Sequence, residues 1–347
     1  MNFKMARDIG NGTDKCAIAG AQSIIPNVVG MGDISAGELD LGGMERRRRR
    51  GQQEPYVVSY DGIFNMLTGP NVRAYCKEPV QRVDDRRFAD TMETRCVTYA
   101  AFHELLGAGE HEGTLILGVP VDKLKGDTAK AFKREVKDWL VGTHEFVVNG
   151  QSSRVTVTGI QFAAQPVGAF FEWGMNGGGQ WVRSEAEFLQ DTGIIDIGYG
   201  TLDLFVVSQG RVNTAFTAGD DLGMGRVAES VVEIFERMHH APMSTVEADE
   251  LIREYVISRG KPVWVVAQGR GVEITPIIKT ALDTHGSTVV DAVRRAWRNF
   301  RLQNVLLTGG GSLVFGDRLV ELYPFATILA DPITANARGL AKLAQRA

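Results

Sequence analysis

Asp8-Ile9-Gly10-Asn11-Gly12-Thr13-Asp14-Lys15 near the start of the chain, and Asp196-Ile197-Gly198-Tyr199-Gly200-Thr201-Leu202-Asp203 in its second half, share one formula. In each, an apolar strand ends on an aspartate, glycines punctuate a tight turn, and a second strand returns. Such a turn exposes consecutive backbone N–H groups that can cradle phosphate oxygens, while the aspartate at the strand end can orient magnesium-bound water. Either segment alone is equally an ordinary hairpin with a solvent-facing Asp. Recurrence in both halves of one chain is what decides the reading.

A third segment, Leu306-Leu307-Thr308-Gly309-Gly310-Gly311-Ser312, is an apolar strand opening into three glycines ahead of a helix. Backbone without side chains can lie flat against a ring. Its place after the two Asp-Gly turns is the order that a two-lobed nucleotide cleft requires.

Outward from these segments, the grammar is that of an α/β protein. The opening reads as a hairpin of Met5–Ile9 and Cys16–Ala21. From 28 to 80 the pattern is irregular, with a short strand at Tyr56–Tyr60, and is expected to be a peripheral insertion spanning about 24–85. Helical periodicity covers Phe88–Leu106 and Asp127–Leu140, the latter with Asp127 as N-cap and Gly142 as stop. Thr114–Val119 reads as a buried strand, Glu145–Val148 and Arg154–Thr158 as a hairpin about Asn149-Gly150, and Gln165–Trp173 as a short helix.

The second half repeats the opening. Strands are expected at Ile194–Ile197, Leu202–Val207 and Arg211–Phe216. Helices follow at Leu222–His239, Ser244–Ser258 and Thr275–Phe300, the last with Thr275-Pro276 as cap and first position. Asn304–Leu307 and Thr327–Leu329 are strands, and Ile333–Ala344 is a final helix. The domain expectation is a first lobe over 1–163, a second over 164–334, and a helix at 335–347 returning to the first.

Composition bounds the function. A chain of 347 residues exceeds what one hydrophobic core usually serves, and 44% hydrophobic with 23% charged residues is ordinary for a soluble globular protein. A net charge of −4 gives no general footprint for nucleic acid or anionic membrane. Three cysteines, Cys16, Cys76 and Cys96, suggest neither a disulfide framework nor a thiolate metal site, so a reducing cytoplasm is expected. The N-terminus has no apolar signal-peptide core, and no apolar run approaches the ~20 residues that span a bilayer. None of the six histidines has metal-ligand spacing: His103-Glu104 is followed by Gly107 where a zincin helix needs histidine.

Taken together, these motifs resemble the prokaryotic actin-like ATPases of the ParM and archaeal-actin type, within the actin, sugar-kinase and heat-shock-chaperone superfamily. The resemblance spans almost the whole chain. It implies an α/β fold of the actin-like (ribonuclease-H-like) kind, duplicated and two-lobed with a central nucleotide cleft. Asp8 to Gly20 is similar to actin's first phosphate loop, with Gly10, Asn11, Gly12 and Thr13 around the phosphates and Lys15 reaching the β/γ-phosphates. Asp196 to Asp203 resembles the second phosphate loop, with Gly198, Tyr199, Gly200 and Thr201 in the turn. Asp8 and Asp196 would hold Mg2+ through water.

Gln165 falls where the family presents a Gln or Glu that orients the attacking water, since phosphoryl transfer is mostly positioning and charge stabilisation. Gly309, Gly310, Gly311 and Ser312 resemble the adenosine loop; Arg253 and Glu254 are similar to the helix segment that contacts base and ribose, with Gly219 approaching the sugar from the other side. Gly168 and Asn336-Ala337-Arg338-Gly339 resemble the connecting helices about which lobes rotate. Two positions depart from actin: Tyr199 replaces an acidic residue, and Asp203 stands where actin has a His near the attacking water.

The implied function is a filament-forming ATPase binding ATP (or GTP) and Mg2+, with copies of itself as partner and a DNA-binding or cargo adaptor for plasmid or cargo segregation. Direct nucleic-acid binding and membrane insertion are not expected. The basic run Arg46–Arg50 reads first as a solvated loop, next as a filament contact, and last as a DNA contact, since no aromatics interleave it. Two alternatives remain: a small-molecule (sugar or acid) kinase of the same superfamily, which needs an Asp base and a substrate pocket, and a membrane-linked scaffold, which needs an amphipathic terminal helix.

Overall fold

The computed structural model describes residues 2–32, 34, 53–81, 85–267 and 270–346, so the run Arg46–Arg50 lies outside the described residues. The chain gathers into two units, Met1–Val182 with Asn336–Ala347, and Arg183–Ala335.

In the first unit, β1 (Asn2–Ile9), β2 (Thr13–Ile18), β3 (Ala21–Pro26), β4 (Val28–Met31), β5 (Tyr56–Tyr60), β6 (Ile63–Thr68), β7 (Val80–Gln81), β8 (Gly109–Val119), β9 (Gly142–Val148) and β10 (Gln151–Ala164) form one sheet. Its order is β3-β2-β1-β8-β10-β9-β5-β6-β4-β7. The segment expected to be a peripheral insertion therefore supplies the sheet's far edge, through pairings between residues far apart in sequence that local patterning does not reveal. β1 and β10 both run parallel to β8, while β1–β2 and β9–β10 are hairpins.

The central strands are buried on both faces, which accounts for their continuous apolar composition. One face carries Met5, Ile9, Cys16, Leu115 and Leu117 against α1 (Met92–Leu106) and α2 (Thr128–Leu140), with Phe102, Trp139 and Leu140 in the same core. The other face, small-residued at Ala6 and Ala17, takes Ala337, Leu340 and Ala341 of the C-terminal helix. The first of these helices starts at Met92 rather than Phe88, because the Thr91 side chain accepts from the Thr94 amide at 3.2 Å and caps it there. Asp127 occupies the N-cap position of α2 but makes no capping bond.

α3 (Gln165–Gly174) also belongs to the first unit, so the crossing to the second falls after Val182 rather than at the expected 163/164. The cause is contact with the C-terminal helix: a Cβ at Gly168 would lie 2.2 Å from the Asn336 carbonyl oxygen.

In the second unit, α4 (Glu185–Leu189) precedes β11 (Thr192–Ile197), β12 (Leu202–Ser208), β13 (Arg211–Val212) and β14 (Ala218–Asp220). Then come α5 (Met224–His239), α6 (Thr245–Ile257), the hairpin β15 (Val263–Ala267) and β16 (Arg270–Glu273), α7 (Thr275–Ala296), β17 (Asn304–Thr308), α8 (Ser312–Leu322) and β18 (Ala326–Ile328). Its main sheet runs β13-β12-β11-β17-β18, with β14 on β12. β11–β12 is a hairpin and β11 is parallel to β17, the same arrangement as β1, β2 and β8. Ile195, Ile197, Leu204 and Val206 pack with α5, α7 and α8 side chains including Val231, Val289 and Phe315. α9 (Ala335–Arg346) closes the chain on the first unit.

Two expectations needed local correction here. The strand expected over Arg211–Phe216 stops at Val212, because the Asn213 side chain accepts from the Ala215 amide at 3.2 Å and turns the chain into a 3-10 step. Thr275 is the first helical residue of α7, not its cap, which is Ile274, and Pro276 follows as the second. By contrast α6 starts where Ser244 suggests, through a reciprocal box between Ser244 and Glu247.

Two buried histidines give the fold a pH dependence. His144 Nε2 donates to the Leu140 carbonyl at 3.0 Å, leaving Nδ1 to accept the Tyr99 hydroxyl at 3.2 Å. Burial holds this ring below the ordinary 6.5, against the pull of the Leu140 carbonyl and Asp90 and with help from Arg95 and Arg7. His285, donating to the Leu222 carbonyl, is likewise lowered by burial. Each resists protonation when folded, so the unfolded chain binds more protons below 6.5 and stability is lost as pH falls through the folded values. Denaturant midpoints are expected to fall from about pH 6.5 downward, and His144→Gln to flatten part of that fall; a pH-independent midpoint in wild type rejects the account.

Candidate functional site

The first glycine turn is built by the β1–β2 hairpin. Asp8 stands directly opposite Lys15 in register, and Lys15 Nζ reaches Asp8 Oδ2 at 3.3 Å. Asp8 is only 2% exposed, so its carboxylate is held at the sheet's end rather than offered to bulk water. The turn closes by a bond from the Gly10 amide to the Thr13 carbonyl at 3.0 Å. Asn27, just past β3, braces it from outside: its side chain donates to the Gly10 carbonyl and its amide to the Gly12 carbonyl at 3.0 Å. Asn11 Oδ1 is buried without a hydrogen-bond partner. An unsatisfied buried acceptor inside a glycine turn fits a ligand that brings water or a donor to it.

Gln165 joins this group. As the first residue of α3 it donates from Nε2 to the Ile9 carbonyl at 3.2 Å, next to Asp8 in the chain. That bond fixes which end of the amide points away, so Oε1 is the atom left to meet a water. Gly10, Asn11, Gly12, Thr13, Lys15, Asp8 and Gln165 are thus brought together in one unit.

The second turn follows the same plan on β11–β12. Asp196 stands opposite Asp203, and the Gly198 amide donates to the Thr201 carbonyl at 2.9 Å. Thr201 Oγ1 donates to Asp203 Oδ2 at 2.7 Å. The turn's carbonyls cap α5: the Met224 amide bonds to Gly198 O at 3.0 Å and the Gly225 amide to Tyr199 O at 2.7 Å. Tyr199 packs on the core beside α5, which is why an aromatic residue is accommodated where an acidic one is expected. Gly219 on β14 pairs with Asp203.

The third turn lies against the second. Gly309 has φ +80°, and a Cβ there would sit 2.5 Å from Asp196 Oδ1 and 2.4 Å from the Ile197 carbonyl oxygen, so only glycine fits. The Gly311 amide donates to Ile197 O at 2.9 Å, and Thr308 Oγ1 and the Gly309 amide both bond to Pro332 O, at 3.0 and 2.8 Å. Ser312 is 1% exposed and its hydroxyl donates back to the Thr308 carbonyl, which ties the strand end to α8 rather than presenting a free group. Arg253 and Glu254 sit on α6, where Arg253 turns back along its own helix to Asp249 at 2.7 Å.

Sequence reasoning missed Asn27, Arg7 and Asp14. Asn27 follows an apolar strand like any loop asparagine, and only the fold brings it to the turn. Among the described residues no three His, Cys, Asp or Glu side chains group as a protein-only metal site. A magnesium ion at the first turn would be held through water and phosphate oxygens, the usual habit of that ion, and the strand-end Asp8 and the orphaned Asn11 oxygen suit such a shell.

No curated protein matches the chain significantly in sequence. Residues 6–168 match the family described as the actin-like proteins' N-terminal domain, and residues 194–321 the archaeal actin homologue MreB-like C-terminal domain. Among solved structures, the archaeal actin homologue Ta0583 has 18% identity and a TM-score of 0.76, covering 99% of this chain and 100% of its own. The same homologue in complex with ADP has 18% identity and a TM-score of 0.73 over 99% and 100%. A 15-stranded ParM filament from Clostridium botulinum gives 17% identity and a TM-score of 0.75 over 100% of both chains. At these identities the likeness establishes an actin-like fold. With the two domain matches in that order along one chain, the protein is an actin-like protein with an archaeal actin homologue MreB-like C-terminal domain.

Proposed function

We propose that the chain binds ATP (or GTP) with Mg2+ through its three glycine turns, hydrolyses the nucleotide slowly, and assembles with copies of itself into filaments. The observation that carries this reading is the repeated device of a strand-end aspartate beside a glycine turn, buried at Asp8 and half-buried at Asp196, with a third glycine turn packed against the second. The ADP complex of Ta0583 and the ParM filament support it at the level of their own proteins.

In this reading Gly10 to Thr13 and Gly198 to Thr201 offer amides to the phosphates, and Lys15 moves from Asp8 toward the β/γ-phosphates. Bound magnesium would neutralise charge on the phosphate oxygens, its water shell accepted by Asp8 and Asp196. Gln165, held at Nε2 by Ile9, turns Oε1 to the attacking water, and Asp203 stands near it. Gly309 to Gly311 form the adenosine seat, with Ser312 securing its backbone; Gly219 flanks the ribose, and Arg253 would have to leave Asp249 to reach it beside Glu254. A plasmid- or cargo-positioning role with a DNA-binding or cargo adaptor follows from the same reading. Among the described residues no helix is long and apolar enough to cross a membrane.

Light scattering and sedimentation with ATP, ADP and no nucleotide, run beside phosphate release, test the proposal. Polymer is expected with ATP, and Gln165→Ala is expected to bind and assemble while releasing phosphate about 10- to 100-fold more slowly, so that its polymers persist. Failure to sediment at any concentration removes the filament reading, and unchanged turnover in Gln165→Ala removes that residue's role. Phosphate transfer to a sugar or acid with negligible free phosphate would put a kinase in its place.

A further inference from the structure

Arg7 is among the most deeply buried side chains of the protein at 1% exposure, one residue before the aspartate at the first glycine turn. It forms an ion pair through Nη2 with Asp14, 0% exposed, while its Nε and Nη1 have no hydrogen-bond partner. Asp14 Oδ1 also accepts the Cys16 thiol at 3.5 Å. Burial, then the neighbouring Asp14, pushes that thiol well up, so it stays protonated and remains a donor. Buried ion pairs with unsatisfied nitrogens cost stability compared with apolar side chains of similar size. Something other than stability accounts for the arrangement.

The register says what. Along β1–β2 the facing pairs are Arg7 with Cys16, Asp8 with Lys15, and Ile9 with Asp14. Arg7 and Asp14 therefore meet diagonally on the core face, while Asp8 and Lys15, each one residue further along its strand, meet on the opposite face. Side chains alternate with period two, so a one-residue slip would turn Lys15 into the core and carry Asp14 out of it, stranding the Arg7 charge. We infer that Arg7 and Asp14 are positioning residues for phosphate binding: their buried pair locks the β1–β2 register and so holds Asp8, Lys15 and the Gly10–Thr13 turn in place. This rests on the nucleotide reading above, and neither residue touches the ligand.

The test is the double variant R7M/D14L, an apolar replacement of similar volume, measured for thermal stability, for ATP-magnesium affinity by calorimetry, and for amide exchange. The expected result separates the readouts: a Tm equal to or above wild type, an affinity about tenfold weaker, and faster exchange confined to Gly10–Thr13. Wild-type affinity in this variant, with its turn protected as before, overturns the inference. If R7M/D14L does not fold, D14N decides by exchange alone. Acceleration limited to the turn supports the inference, whereas an even rise along β1, β2 and β8 makes the pair a simple strut and overturns it. Wild type that binds no purine triphosphate would sink the nucleotide reading, and with it any positioning for phosphate, whatever the exchange pattern says about register.

Discussion

Gly339→Ala is expected to destabilise the first unit by about 3 kcal/mol or more, at the upper end of what overpacking costs. A Cβ at Gly339 would lie 1.8 Å from the Gly168 carbonyl oxygen and 2.6 Å from the Glu172 amide nitrogen. These are backbone atoms of α3, so no rotamer change relieves the clash; α9 must lift away from α3. Lifting it uncovers Ala337, Leu340 and Ala341 from the sheet and strains the pairs from Arg338 and Lys342 to Glu172, at 3.1 and 2.9 Å. Gly159→Ala, at a bulge of β10 where an added methyl meets nothing within 4 Å and φ lies outside the left-handed region, is the control and is expected to be near neutral. Urea unfolding followed by circular dichroism measures both. A Gly339→Ala midpoint at the wild-type value would mean that the two helices slide apart freely, and the account of their packing fails.

Lys15→Met is expected to weaken ATP binding by about a hundredfold. Two effects add. The ammonium lost is the one proposed to meet the β/γ-phosphates, and its removal leaves the 2%-exposed Asp8 carboxylate unpaired beside them. A buried carboxylate without its cation both costs stability and repels phosphate. The affinity loss is therefore expected to shrink in Lys15→Met/Asp8→Asn, where that repulsion is relieved, although the loss of the lysine contact remains. Calorimetry across salt concentrations reads this directly. Affinity within about threefold of wild type in the single variant would remove Lys15 from the site.

Both glycine turns, their aspartates and the hairpins that carry them were legible because the chemistry is local. A turn needs particular residues at particular offsets, and a strand shows its burial by alternation or by an apolar run. Helix α6 was legible for the same reason, from Ser244 and Glu247. The hairpin at Val263–Ala267 and Arg270–Glu273 was readable in principle from the run Val263-Trp264-Val265-Val266, and was missed. What misled was chemistry that depends on a neighbour: Asn213 ending a strand early, Thr275 leaving the cap to Ile274, and 28–80 pairing into the main sheet.

By itself, then, the order of residues determined that this is a duplicated α/β chain with two aspartate-glycine turns, a glycine-rich third, and the resemblance to actin-like proteins that they carry. Only the tertiary structure decided that β4 to β7 complete a ten-stranded sheet, that α3 belongs with the first unit through Gly168 and Gly339, that Gln165 is anchored by Ile9, and that Arg7 and Asp14 are buried together beneath the first turn. The physical reason is range. Turn geometry and strand periodicity are settled within a few residues, whereas the partner of a buried charge, the seat of a helix on a sheet and the atom facing a glycine are set by chain segments far apart in sequence.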